Sequence, residues 1–108
     1  MPNPISVIEP SGIFDGAKAA KFYQEIDHLV MNKVEIIIID FKNVTFMDSS
    51  GLGALVQSLK MTREANVKLL LCSFNDQIKM LFELTGMDRV FEIFAQREEL
   101  EQTIQSNP

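Results

Sequence analysis

The residues whose types and spacing could do chemistry lie together in one stretch, Asp48-Ser49-Ser50-Gly51-Leu52-Gly53. Asp48, Ser49 and Ser50 are all good helix N-cap types, so a helix is expected to begin within a residue or two of them. Gly51 and Gly53 fall in its first turn, where each costs about 1 kcal/mol relative to Ala. They also remove side chains from the place where unpaired backbone N–H groups point outward. A helix start of this kind suits an anion, because the dipole and the free donors both favour negative charge there. A phosphoryl group on Ser49 would bring about −1.5 to −2 charges to that position. Within the protein the helix terminus would offset part of that charge. Against a docked partner it would add to Asp48 instead, so phosphorylation is expected to spare the fold and weaken a contact made through this turn. Ser and Asp ahead of a helix also serve as caps and nothing more, and Phe46 and Met47 could simply be the core end of the loop. Turn chemistry alone leaves both readings open.

Other chemistries find less support. A nucleophile elbow requires Gly two residues before its serine, but Met47 precedes Ser49 and Asp48 precedes Ser50 at that offset. His28 is the single histidine and falls in the first predicted helix, where a helix-surface role is expected. Gly53 is followed by Ala54-Leu55 and not by the Lys-Ser/Thr of a phosphate loop. One Gly51-x-Gly53 is too little for a dinucleotide site, and no His/Cys/carboxylate spacing suggests zinc. A phospho-aspartate receiver needs an acidic pair after its first strand, and Ile8-Glu9-Pro10 supplies one carboxylate. No cofactor, no metal and no catalytic residue are expected.

The elements that must hold the turn alternate strand with helix. Ile5 to Ile8 and Gly12-Ile13-Phe14 read as a short N-terminal strand pair across the Pro10-Ser11 turn. Residues 16 to 31 align Ala19, Phe22, Ile26, Leu29 and Val30 at helical spacing, with Asp15 as N-cap. Val34 to Phe41 contains four consecutive isoleucines and no polar face, as a strand covered on both sides does. A second helix is predicted from about Ser50 to Glu64, with Leu52, Leu55, Val56 and Leu59 inward. Val67 to Cys72 repeats the buried-strand signature. A third helix runs from Asp76 to Thr85, with Ile78, Leu81, Phe82 and Thr85 aligned and Gly86 as its stop. Val90 to Phe94 reads as a last short strand, and Leu100 and Ile104 pattern a terminal helix that frays by Ser106-Asn107-Pro108. The expected class is α/β, a mostly parallel mixed sheet of about four or five strands packed with about four helices. One domain is expected over 1–108, its core from about 5 to 104.

Composition narrows the partners. Lys and Arg number 10 against 15 Asp and Glu, a net charge of −5. The basic residues are scattered, so neither a nucleic acid nor an anionic membrane is an expected partner. Uncharged apolar runs such as Ile36 to Ile39 are far short of the roughly 18 residues that cross a bilayer. Met1-Pro2-Asn3-Pro4 has no basic residue and no apolar stretch after it, unlike a signal peptide, so a cytoplasmic location is expected. Cys72 is the only cysteine and ends an apolar run, where an inert buried thiol is expected. No broad apolar stripe demands a dimer; a monomer or weak dimer is expected.

From about Ile5 to Leu100 the sequence resembles a STAS domain of the free-standing anti-sigma factor antagonist kind. Four stretches carry the resemblance: Gly12-Ile13-Phe14-Asp15, Ile37-Ile38-Ile39-Asp40-Phe41, Phe46-Met47-Asp48-Ser49-Ser50-Gly51-Leu52-Gly53 and Ile78-Lys79-Met80-Leu81-Phe82-Glu83-Leu84-Thr85-Gly86-Met87. The third is the most specific. The resemblance implies a binding module without catalysis of its own. In its unphosphorylated form it would sequester an anti-sigma factor that is also a serine kinase holding its own ATP or ADP, freeing a sigma factor. That kinase would phosphorylate the first serine of the run, Ser49, and a PP2C-type phosphatase would restore it. Asp48 would orient the turn and contact the kinase, Ser50, Gly51, Leu52 and Gly53 would shape the docking helix, and Asp15 would lie in the partner contact. The alternative use of such a module is as a scaffold or regulatory subunit of another partner-switching or transporter-associated complex. A small hydrolase using Ser49 is the remaining class, and it lacks a base. Two departures stand out: the first strand is short, and Ala65-Asn66 replaces paired glycines before the third long strand. Asn tolerates the left-handed conformation, so the helix can still end there.

Overall fold

The computed structural model describes residues 5–106. The chain runs β1 (Ile5–Ile8), β2 (Ser11–Phe14), α1 (Gly16–Met31), β3 (Ile36–Asp40), β4 (Asn43–Met47), α2 (Ser49–Glu64), β5 (Lys68–Cys72), α3 (Asp76–Thr85), a 3₁₀ turn (Met87–Arg89), β6 (Glu92–Phe94) and α4 (Arg97–Ser106). The expected α/β class with four helices is what forms. Of Ser106-Asn107-Pro108, where fraying was expected, Ser106 still belongs to α4; Asn107 and Pro108, and the signal-peptide reading of residues 1–4, lie outside the described residues.

Four strands form one sheet in the order β1-β3-β5-β6, and β2 and β4 form a second, two-stranded sheet. Each pairing is parallel. The isoleucine run explains itself here: Ile37 and Ile39 enter one core, and Ile38 enters another on the opposite face. The larger core takes Phe22 and Ile26 of α1, Leu52, Leu55 and Leu59 of α2, and Ile78 and Phe82 of α3. The smaller one is closed by Leu100 of α4 over Ile38, Leu70 and Cys72. Both faces of β3 and β5 are therefore dry, and alternation of side chains along each strand feeds both cores.

Two local expectations are corrected. β1 and β2 do not pair with each other. Pro10 and Ser11 resemble a hairpin turn, but the chain moves across so that β1 joins β3 and β2 joins β4. Asn43 to Met47, expected as loop, is the strand β4. Its register with β2 slips between Gly12 and Ile13, where Gly12 faces Val44 and Ile13 faces Phe46. The residue passed over is Thr45, the mark of a β-bulge. The bulge turns Val44 and Met47, three apart, into the same core and leaves Thr45 and Phe46 outward.

Helix ends follow local chemistry. Asp15, Asp48 and Asn75 cap α1, α2 and α3 through side-chain oxygens. Gly86 ends α3 at φ 74°, and Asn66 takes φ 59° after α2, the left-handed geometry that these residues tolerate. In α2, Val56 is not inward as expected but surface-facing, while Ser58 and Thr62 are buried. Their hydroxyls donate to the Ala54 and Leu59 carbonyls, which removes the cost of burying them. Thr85, also expected inward, is exposed and donates to the Leu81 carbonyl.

Candidate functional site

The site is built by one construction used twice, side by side. Phe14 ends β2, Met47 ends β4, and the two are register partners. Each is followed by an aspartate that caps a helix. Asp15 accepts from the Lys18 amide at 3.2 Å, and Asp48 accepts from the Gly51 amide at 2.9 Å. The two helix starts thus open on the same side. They touch where Gly16 leaves room for Ser50, whose Cβ lies 3.5 Å from the position a Gly16 side chain would take. The sum is two positive helix ends and two carboxylates within one small surface.

Within that surface the residues separate into outward and inward sets. Ser49, the first residue of α2, is exposed, and among the described residues its hydroxyl has no hydrogen-bond partner. Ser50 is also exposed but leans on the start of α1. Gly53 is exposed with open space where a side chain would project. Asp15 and Asp48 are half-buried. Gly51 and Leu52 face inward. Leu52 packs in the larger core, and a Cβ on Gly51 would collide with the Phe14 carbonyl and come within 2.6 Å of its ring. These two shape the helix start from beneath and offer no side chain to a partner.

Between α1 and α2 runs an open groove of about 440 Å³, floored by Gly16, Ala19, Ala20, Ser50, Gly53 and Ala54. Small side chains there bring the two helices close and leave the backbone near the surface. On the neighbouring sheet, Ile13 and Phe46 stand opposite each other and are 55% and 46% exposed, an apolar pair beside the two caps. Sequence reasoning left Phe46 open as a core end of the loop, because nothing in Asn43 to Met47 advertises the bulge; the side chain points outward.

The turn is anchored from three directions. The Asp48 amide donates to the Phe14 carbonyl at 3.4 Å. Gln77 of α3 brackets Met47, accepting from its amide at 2.9 Å and donating to its carbonyl at 2.8 Å. Asn75 donates to the Val44 and Thr45 carbonyls, both at 3.2 Å. Neither amide was singled out from sequence; the only available signal was Asn75 standing as a cap type ahead of α3. Beneath, a series of packed rings runs from Phe22 through Phe14, Phe41 and Phe74 to Phe82 and Phe91, edge-to-face except for the tilted Phe74–Phe82 pair.

Residues outside the site carry their expected roles. His28 is exposed on α1 beside Asn32. Cys72 is fully buried, and that burial, with Asp40 nearby, pushes its thiol above its ordinary value. Among the described residues no cluster of His, Cys, Asp and Glu is placed to hold a metal ion, and no helix is long and apolar enough to cross a membrane.

Comparison with known proteins matches residues 2–100 to the family described as the STAS domain. An anti-sigma-B factor antagonist of Listeria monocytogenes is 31% identical over 83 residues, 77% of this chain and 73% of that protein. A candidate anti-sigma factor antagonist of Thermotoga maritima shares the fold at TM-score 0.86 and 21% identity, over 94% of this chain and 88% of that one. The anti-sigma factor antagonist SpoIIAA in unphosphorylated form superimposes at TM-score 0.73 and 20% identity, covering 95% and 91% of the two chains. The Bacillus SpoIIAA in phosphorylated form gives TM-score 0.71 at 20% identity, over 94% and 92%. At these identities the solved structures speak for the fold alone.

Proposed function

Because this chain belongs to the STAS domain family, we propose that it is an anti-sigma factor antagonist whose grip on its partner is switched by phosphorylation of Ser49. The single observation that carries the reading is the Ser49 hydroxyl, exposed and unbonded on the first residue of a helix whose start is pinned from below. Curated relatives named as anti-sigma factor antagonists lend it support.

The unphosphorylated turn docks on an anti-sigma factor that is also a serine kinase, through Ser49, Ser50, the backbone at Gly53 and the flanking Asp15. Ser49 Oγ attacks the γ-phosphorus of the kinase's ATP, its proton passes to a base on the kinase, and ADP departs. The nearby helix donors partly offset the phosphate within this chain. Against the kinase, the new charge stands next to Asp48 on a molecule that already carries −5, and the complex separates. A PP2C-type phosphatase then hydrolyses the ester to serine and inorganic phosphate. This chain supplies an acceptor and a docking face and performs no catalysis itself. The cycle takes place in the cytoplasm.

Intact-mass spectrometry with peptide mapping, on protein purified from its own cells, tests this first. One phosphate on Ser49, with loss of a co-purifying partner from that form, is the expected result. No phosphate under any growth condition and no transfer from candidate kinases would replace the switch with a constitutive scaffold role.

A further inference from the structure

The outer edge of β4 is closed by side chains where another strand would ordinarily lie. β4 has β2 on one side. On the other, Gln77 Oε1 accepts from the Met47 amide at 2.9 Å and Gln77 Nε2 donates to the Met47 carbonyl at 2.8 Å. A directly opposed residue in an antiparallel ladder makes the same exchange of two bonds. Asn75 extends the splint by donating to the carbonyls of Val44 and Thr45, while its own Oδ1 accepts from the Ile78 amide at 2.9 Å and caps α3. The first turn of α3 thus stands in for a strand. Met47 is held between Phe14 of β2 and Gln77 of α3, and the next two residues are Asp48 and Ser49.

We propose that Gln77 is a positioning residue for phosphoryl transfer to Ser49, an inference that rests on Ser49 being the phosphoacceptor. Phosphoryl transfer leaves a substrate protein little to do besides presenting its hydroxyl in line with the leaving group, and a displacement of about 1 Å can cost on the order of 100-fold in rate. A neutral carboxamide is the group this task demands. It offers one acceptor and one donor in a plane, matched to the N–H and C=O of a single residue. Glu at this place would keep the acceptor but set an oxygen against the Met47 carbonyl. Met would fill the volume with neither bond. Gln77→Glu thus loses one of the two bonds on the outer edge and Gln77→Met loses both, while the larger core keeps its side chains.

The test uses the whole protein and the serine-kinase partner isolated through its binding to the unphosphorylated form. Initial rates of phosphate incorporation are measured for wild type, Gln77→Glu and Gln77→Met, together with the affinity of each unphosphorylated protein for the kinase. The expected outcome is a fall in kcat of about ten-fold or more in both variants, with affinity within about two-fold of wild type. Amide resonances of Asp48 to Gly51 should shift in Gln77→Glu with the rest of the spectrum dispersed as in wild type. Wild-type kcat in both variants overturns the inference, as does a change confined to KM. Wild-type protein that takes no phosphate on Ser49 overturns the phosphoacceptor reading and this inference with it, so the two failures are told apart by the wild-type lane.

Discussion

The Phe14 carbonyl accepts a hydrogen bond from the Asp48 amide at 3.4 Å, tying the last residue of one strand to the cap of the helix that follows the other. Phe14 is fully buried, with its ring packed against Phe22 and Phe41. The candidate phosphoacceptor turn therefore takes its position from the core of the domain.

The two glycines of the turn should respond in opposite directions to alanine. At Gly51 a methyl group meets the Phe14 carbonyl, a backbone atom that cannot swing aside. Gly51→Ala is expected to cost about 1–3 kcal/mol through overpacking, and each kcal/mol lowers the melting temperature of a domain this size by roughly 4–8 °C. Gly53 has open space around the same position, so Gly53→Ala should hold or gain up to about 1 kcal/mol from helix propensity. Thermal melts of the pair would settle the matter, and equal losses would contradict this packing.

Ser49 should separate folding from binding. Ser49→Ala leaves the Asp48 cap intact and is expected to stay folded, keep its partner and take up no phosphate. Normal incorporation in that variant would move the site to Ser50. Ser49→Asp places a charge at a helix start, which the dipole favours by about 0.3–1 kcal/mol. Its melting temperature should be unchanged or higher, while its affinity for the proposed kinase partner falls by about ten-fold, or roughly 1.4 kcal/mol. Raising the salt should narrow that gap if the repulsion is electrostatic; titrations at two ionic strengths would show it.

Leu52 and Val56 lie on one helix and should behave differently as lysine. Leu52 is 6% exposed in the larger core, so Leu52→Lys buries a cation and is expected to cost more than about 3 kcal/mol. Val56 is 39% exposed, and Val56→Lys should alter stability by no more than about 0.5 kcal/mol. Circular-dichroism melts read the first. A pulldown reads the second, and loss of partner there would extend the docking face along α2.

Cys72 should make stability depend on alkaline pH. Burial pushes the folded thiol above its ordinary value of 9.0, so the unfolded chain releases this proton first. The folded state then binds more protons than the unfolded one above about pH 9, and stability falls as pH rises through that window. Below it the contribution is constant. Urea titrations at pH 8 and pH 10 should show a shallower loss in Cys72→Ala than in wild type. At pH 8 a thiol reagent should label native protein only as fast as the domain opens.

Much of this arrangement was legible in the residues. α1 and α3 announce themselves by apolar spacing, and Asp15 and Gly86 mark their ends. The isoleucine run declares a strand covered on both faces. The turn at Asp48 to Gly53 declares a helix start. What escaped has identifiable causes. β4 hides because its bulge breaks the period of two, placing Val44 and Met47 on one face. The partners of β1 and β2 hide because pairing is decided by distant strands, while Pro10-Ser11 speaks only for a local turn. Val56 was expected inward in place of Ser58 and Thr62, since a hydroxyl that bonds its own helix can be buried like an apolar group. Gln77 and Asn75 escaped because two amides opening a helix look the same whether they serve that helix or a strand beside it.

Fixing the Asp48 turn to the Phe14 carbonyl has a consequence for timing. A segment anchored in the core is expected to need no rearrangement of its own before it is recognised or after it is released. In the proposed cycle the tempo would then be dictated by the kinase and phosphatase, with this protein acting as a token whose mark is read at once.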